Sequence, residues 1–224
     1  MWNEAINQIT MFLPEIKLAL WDTLYMVVAS VGFAYLLGLP LGVILVATEA
    51  GHILANPVLN KLLGYIVNIL RSTPFLILMV VLFPLTKLIV GKSIGATAAV
   101  VPLTVAAAPF VARVVETSLK EVDKGVVEAA RSMGASPWQI IWKVMLPEAK
   151  PGLVLGVTIT AINLIGYTAM AGAIGAGGIG DLAIKYGYVR RYDWIMYITL
   201  VILIVVVQLV QSMGDWLAAK INKK

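Results

Sequence analysis

Four stretches of this chain run for 20 residues or more without a charged side chain, and nothing else in the sequence restricts the fold as much. They are Thr23–Thr48 (26 residues), Ser93–Ala112 (20), Pro151–Gly180 (30) and Trp194–Gly214 (21). A helix needs about 20 consecutive apolar residues to cross the hydrocarbon layer of a bilayer. Inside that layer every backbone N–H and C=O must find a partner within the protein, and a helix supplies those partners itself. A fifth stretch, Leu62–Thr86, is 25 residues long and is interrupted once, by Arg71. The sequence therefore predicts an all-α, polytopic membrane protein with five transmembrane helices, organised as a single domain over residues 1–224. No low-complexity tract, composition shift or internal repeat marks a second domain.

Composition agrees. The chain is 60% hydrophobic and 13% charged, whereas soluble domains run near half and about a quarter. An ordinary soluble enzyme, a disordered chain and a nucleic-acid binder are excluded on that ground. There is no cysteine and a single histidine, His52. Disulfides, thiolate sites and a transition-metal centre thus lack material, and neither metal nor cofactor is expected. The net charge of +5 reads as loop charge that sets topology. Five spans put the termini on opposite sides. Lys61, Arg71, Arg113, Lys120, Lys124, Arg131, Lys143, Lys150, Lys220, Lys223 and Lys224, 11 of the 17 cations, fall on the C-terminal side, and 6 on the other. The positive-inside rule makes the first side cytoplasmic and places the N-terminus outside. Arg190 and Arg191 run against that trend. Glu4 and the lack of a basic leading segment set the N-terminus apart from a cleavable signal.

The longest polar segment is the cytoplasmic loop between the third and fourth spans, and its pattern is that of a built object. Val126, Ala129, Ala130 and Met133 share one helix face. Gly134 stands where a glycine in left-handed conformation ends a helix. Ser136-Pro137-Trp138-Gln139 then gives an N-cap, a proline at the first helical position and a capping box. Trp138, Ile141, Trp142 and Met145 repeat the helical spacing, and Leu146-Pro147 predicts a stop. Two short amphipathic helices joined by a tight turn are expected over 123–147. Periodicity leaves two readings open: helices lying on the membrane with tryptophan anchors, or a knob that docks into a partner's groove.

The residues carry more than their periodicity. Glu128-Ala129-Ala130, then Gly134, then Val144-x-Leu146-Pro147 resembles the EAA loop of ABC-importer permeases, with valine in place of isoleucine at Val144. The stretches Arg71–Phe75, Val101–Glu116, Glu128–Ala149 and Gly166–Tyr188 resemble one branch of that family, the methionine-uptake permeases. The resemblance implies a type I importer permease fold in the cytoplasmic membrane. It implies a homodimer, two cytosolic ATPase subunits and an extracytoplasmic substrate-binding protein, with no nucleic acid among the partners. It implies a coupling role for Glu128, Ala129, Ala130 and Gly134, with Ser136, Leu146 and Pro147 completing the loop. The chain itself is then no enzyme, since the ATPase subunits hydrolyse ATP. Methionine, L or D, is the implied substrate; another small amino acid or a quaternary amine is the alternative, and a secondary transporter a remoter one.

Other motifs look chemical without the context they need. Gly175-Ala176-Gly177-Gly178-Ile179-Gly180 satisfies G-x-G-x-x-G, but an apolar span precedes it where a dinucleotide site has a strand. It reads as a breaker ending the fourth span, or as a turn beside a gate. Gly91-Lys92-Ser93 lacks the first glycine of a phosphate loop, because position 86 is Thr86. The small-residue pairs Gly38/Gly42 and Gly152/Gly156 allow close helix packing within the chain, or at a homodimer contact. Polar groups inside the bilayer are better pointers to a transport path. Asn68, Arg71, Asn163 and Thr168 are the candidates, and Met170 is a candidate apolar gate at the outer end of the fourth span. No acid, lysine or histidine sits at a midplane, which argues against a carboxylate-relay pump.

Overall fold

The structure, a computed structural model, describes residues 2–221, with side chains from Ile6 onward. Lys223 and Lys224 of the topology count lie outside the described residues. Among the described residues all regular structure is helical. The chain begins with α1 (Trp2–Met11) and α2 (Leu13–Ala47), followed by α3 (Pro57–Ser72), α4 (Phe75–Val81) and α5 (Phe83–Val90). Next come α6 (Ala96–Lys120), α7 (Lys124–Ser132), α8 (Pro137–Ile140), a π-type turn over Ile141–Met145, and α9 (Leu146–Glu148). The chain closes with α10 (Lys150–Gly172), α11 (Gly178–Leu182) running into π-type turns over Ala183–Val189, and α12 (Asp193–Ile221).

Helices α2, α6, α10 and α12 are each long and apolar enough to cross a membrane. The expected second span is not one helix. It is broken between α3 and α4, where the chain turns through 101°. The reason is local. Pro74 has no N–H to donate and its ring disfavours helical geometry in the residue before it. Thr73 accordingly sits extended, at φ −80° and ψ 124°. Arg71 ends up in the last turn of α3, two residues ahead of the break.

The described residues fall into two compact units. One gathers the chain up to Gly32, Pro74–Val105 and Ala161–Gln211. Its core holds Phe12, Ile16, Ala19, Ile179, Leu182 and Ile195. The Phe12 ring contacts Tyr186 and Tyr192 at centroid distances of 4.7 and 5.1 Å. The other unit gathers Phe33–Thr73, Ala106–Thr160 and the chain from Ser212. Here Leu45, Val67 and Ala112 form a core flanked by Leu41 and Leu63.

Close approach in this second unit depends on small residues. A methyl group added at Gly38 would stand 2.6 Å from the Ala108 carbonyl oxygen, and one at Gly42 would stand 2.6 Å from the Ala112 carbonyl oxygen. The glycines four apart on α2 thus face alanines four apart on α6. On the other side of α6, a methyl at Gly152 would meet the Ser118 hydroxyl at 2.9 Å, and one at Gly156 would meet Val114. Both small-residue pairs are used for packing within the chain. Lipid offers no hydrophobic drive to bring helices together, so such contacts depend on van der Waals fit, and small residues supply it. Among the spans α6 is the most enclosed and α12 the least.

Candidate functional site

The loop after α6 forms as its sequence predicts at the turn and departs from it at the end. The Asp123 carboxylate caps α7, accepting from Gly125 N–H at 2.7 Å and Val126 N–H at 3.3 Å. Gly134 has φ +79°. Its N–H donates to Arg131 O at 3.0 Å, and Ala135 N–H donates to Ala130 O at 3.1 Å. That pair of bonds is the Schellman closure of a helix, and it requires left-handed backbone at Gly134. The capping box is complete: Ser136 N–H donates to Gln139 Oε1 at 2.8 Å, and Gln139 N–H to Ser136 Oγ at 3.4 Å.

Leu146-Pro147 does not stop the second helix. Leu146 N–H reaches back five residues to Ile141 O. Leu146 itself stays helical, at φ −64° and ψ −42°. The π-type turn absorbs the proline, which has no N–H for a regular turn and would crowd the carbonyl four residues back. Helical geometry then resumes with Ala149 N–H on Met145 O at 2.9 Å.

The faces also divide differently from the periodicity. On α7 only Ala130 is buried, whereas Val126, Ala129 and Met133 stay open, Met133 at 82% exposure. On the second helix Ile140, Ile141 and Met145 turn inward, while Trp138 and Trp142 remain 67% and 59% exposed. Of the coupling-loop residues, Glu128, Ala129, Gly134, Ser136 and Pro147 are exposed, Leu146 is half-buried and Ala130 is buried. A methyl group at Gly134 would meet nothing within 4 Å.

Beneath the loop lies an ion network that sequence reading did not pick out. The Arg113 guanidinium donates to Glu116 at 2.6 Å, to Asn68 Oδ1 at 2.9 Å and to Gly64 O at 3.2 Å. Lys120 pairs with Glu116 at 3.0 Å and with Glu49 at 3.1 Å. Asn68 is therefore spoken for by Arg113. The signal was present: Arg113, Glu116 and Lys120 stand three and four apart, on one helix face. The partners Glu49 and Asn68 are far off in sequence. Next to this network a cavity of about 580 Å³ is walled by Glu49, His52 and Lys120 on one side and by Lys124, Glu128 and Arg131 of α7 on the other. Burial holds the His52 imidazole below its ordinary pKa; Glu49 opposes that shift, and Lys120 and Lys124 add to it.

On α10, Asn163, Gly166 and Met170 lie three and four apart, all exposed. Thr168 does not share that face; it is buried, and its hydroxyl donates to Ile165 O at 2.7 Å. Tyr167 stacks on Phe75 of α4, with centroids 4.7 Å apart and planes 2° from parallel. The glycine-rich segment ends α10 with a second Schellman closure: Gly175 N–H donates to Gly172 O at 3.0 Å and Ala176 N–H to Ala171 O at 3.1 Å. Beyond it, Ile179 N–H donates to the buried Thr23 hydroxyl at 2.9 Å. A methyl at Gly178 would stand 2.7 Å from that same oxygen. The segment is a tight packing turn.

The sequence pattern of the binding-protein-dependent transport system inner membrane component family matches residues 38–223. The chain belongs to that family. A member from Vibrio cholerae, named probable D-methionine transport system permease protein MetI, is 56% identical over 207 residues, 92% of each chain. The methionine import system permease protein MetP of Bacillus subtilis is 45% identical over 212 residues, 95% of this chain and 96% of that one. A chain of a solved structure, described as inward-facing conformations of the MetNI methionine ABC transporter, superposes with a TM-score of 0.93 at 48% identity. It covers 95% of this chain and 98% of its own. The fold is thus that of an ABC type I importer permease, a multi-pass component of the inner membrane. The family match takes in α6, the whole loop through Pro147, the open face of α10 and the glycine turn.

Proposed function

We propose that the chain is the permease subunit of an ATP-driven methionine importer. The observation that carries this reading is the loop from Glu128 to Pro147. It is a pair of capped helices with a tight turn at Gly134, and its apolar residues Ala129, Met133, Trp138 and Trp142 stay open, as does Val126 just ahead of it. An exposed apolar stripe on a well-ordered helix asks for a partner, and a small-residue face lets a groove approach closely. The partner is a cytosolic ATPase, one on each protomer of a homodimer, and ATP is hydrolysed there. The substrate assignment is supported by the methionine relatives and by the superposition at a TM-score of 0.93.

In this reading the chain is the bistable element. ATP binding closes the ATPase pair, and the loop passes that movement on as a rigid-body shift. The C-terminus and the loop are cytoplasmic, and the N-terminus is outside. An extracytoplasmic binding protein delivers methionine to the outer face. Asn163 and Met170 line the path, with Met170 closing its outer end. Thr168, buried and bonded to Ile165 O of its own helix, stands off that path.

The test is co-purification followed by uptake. The chain is expressed with its ATPase, extracted in mild detergent and assayed for associated ATP hydrolysis. It is then reconstituted with a methionine-binding protein and scored for ATP-dependent uptake of labelled methionine. Glu128→Lys with Gly134→Trp should abolish both while leaving the chain in the membrane. Association that survives the double substitution refutes the docking role. Uptake without ATP refutes the importer.

A further inference from the structure

The segment between α11 and α12 gathers three cations that no part of the transport reading uses. Lys185, Arg190 and Arg191 are all exposed. The ion pairs among the described residues leave all three out. They are held in place by rings instead. The Arg190 guanidinium lies 4.8 Å from the Tyr186 centroid, Lys185 Nζ 5.3 Å from the same ring, and Arg191 5.9 Å from Tyr188. Tyr186 is in turn fixed against Phe12, and Gly187 is buried, packed against Met196. Arg191 has φ 60°, so the backbone turns sharply between the two arginines and sends them to different rings. Cations set over aromatic faces keep their N–H donors free to bind an anion.

What surrounds the cations says which anion. They directly precede α12, the least enclosed span. Along α12 the side chains run in the order of a bilayer. Trp194 and Tyr197 meet edge to face at 6.1 Å in the first turns. Leu200, Val201, Ile204, Val205 and Leu209 follow as an open aliphatic face. At the far end the Lys220 ammonium lies 5.0 Å from the Trp216 ring. From Tyr197 to Trp216 a helix rises about 28 Å at about 1.5 Å per residue, close to the roughly 30 Å of hydrocarbon between two interfaces. Aromatic residues mark the interfaces, so Lys185, Arg190 and Arg191 stand at headgroup level.

We infer that Lys185, Arg190 and Arg191, set on Tyr186 and Tyr188, bind the phosphate of an anionic phospholipid beside the head of α12. The site explains why arginines sit on the side that the positive-inside rule would leave poor in them. With the N-terminus outside, the lipid is in the outer leaflet; the binding itself does not depend on that orientation or on the transport reading.

The lipid measurement itself needs neither ATP nor methionine; a parallel assay of binding-protein-stimulated ATP hydrolysis separates a lipid site from a protein one. The full chain with its ATPase is reconstituted in phosphatidylcholine bilayers, and its selectivity for spin-labelled phosphatidylglycerol over spin-labelled phosphatidylcholine is measured. A cation near an anionic headgroup is worth about a fivefold preference. Lys185→Gln/Arg190→Gln/Arg191→Gln should cut the selectivity by roughly that factor per cation engaged, and 0.5 M salt should do the same to the unaltered protein by screening. Arg190→Lys/Arg191→Lys, which keeps the charge, should retain most of it. Selectivity unchanged in the glutamine variant overturns the site. So does unchanged selectivity with loss of binding-protein-stimulated ATP hydrolysis, which would give this surface to an acidic protein face.

Discussion

Replacing Gly134 by alanine separates backbone strain from steric fit at the tip of the loop. At φ +79° the residue lies in the left-handed region. A side-chain-bearing residue costs roughly 1–2 kcal/mol there relative to glycine. No atom lies within 4 Å of the added methyl, so the protomer itself adds no clash to that figure. In the free protein the turn can relax, because only the Gly134–Arg131 and Ala135–Ala130 bonds hold it. In the docked state it cannot, and the strain appears as lost affinity. At about 1.4 kcal/mol per decade, Gly134→Ala should weaken ATPase association roughly tenfold, with the thermal midpoint of the permease alone little changed. Asparagine tolerates left-handed geometry better than alanine. Gly134→Asn should therefore bind more tightly than Gly134→Ala if strain governs the tip, and less tightly if the partner's cleft is too narrow for any side chain. The assay is titration of the ATPase against immobilised permease in mild detergent. Equal affinity for glycine, alanine and tryptophan at 134 would mean that the tip touches nothing, and the docking argument would fail.

Four further outcomes follow from the packing and the charges. Gly42→Ala should cost about 1–3 kcal/mol by overpacking, because the methyl would stand 2.6 Å from the Ala112 carbonyl oxygen; Gly32→Ala, with nothing within 4 Å, should leave the thermal midpoint equal or higher. Thr23→Val keeps the side chain's shape but strands the Ile179 N–H, bonded at 2.9 Å, and should cost about 1–3 kcal/mol, with Thr23→Ser restoring stability in the same unfolding assay. Met170→Ser should change methionine uptake at fixed expression while ATPase association stays as it was; unchanged uptake and unchanged basal ATP hydrolysis would remove Met170 from the gate. His52 is held below its unfolded pKa of 6.5, so the unfolded chain binds more protons in the window below that value, and stability rises with pH across it. The thermal midpoint of the protein should fall as pH drops from neutral through that window, and His52→Gln should flatten the decline.

The spans α2, α6, α10 and α12 were legible because the constraint that makes them is one-dimensional. A bilayer demands about 20 apolar residues in a row, and an unbroken interval between charges is visible in any sequence. The turn at Gly134 and the caps at Asp123 and Ser136 were legible for a similar reason, since each is set by residues within about five positions. The second span was half legible: Pro74 was visible, but a proline in a membrane helix can kink it, end it or be absorbed. At Pro74 it ends the helix, with Thr73 extended, and at Pro147 a π-type turn absorbs it. Helical periodicity grouped Trp138 and Trp142 with Ile141 and Met145, and only packing could divide them.

The sequence by itself therefore determined what local chemistry and the solvent decide: an all-helical membrane protein, its longest spans, and a capped, two-helix loop on the charge-rich side. Only the tertiary structure decided which residues meet. It set Gly38 and Gly42 against α6, joined Arg113 to Asn68, and closed the Thr23 hydroxyl on Ile179 across 156 residues. It also buried Thr168 while leaving Asn163 and Met170 open on the same helix. The physical reason is the uniformity of the solvent. In hydrocarbon every apolar face is equally acceptable, so the sequence pattern says that a helix crosses but not which side of it is covered. That choice falls to close packing and to the pairing of the few polar groups.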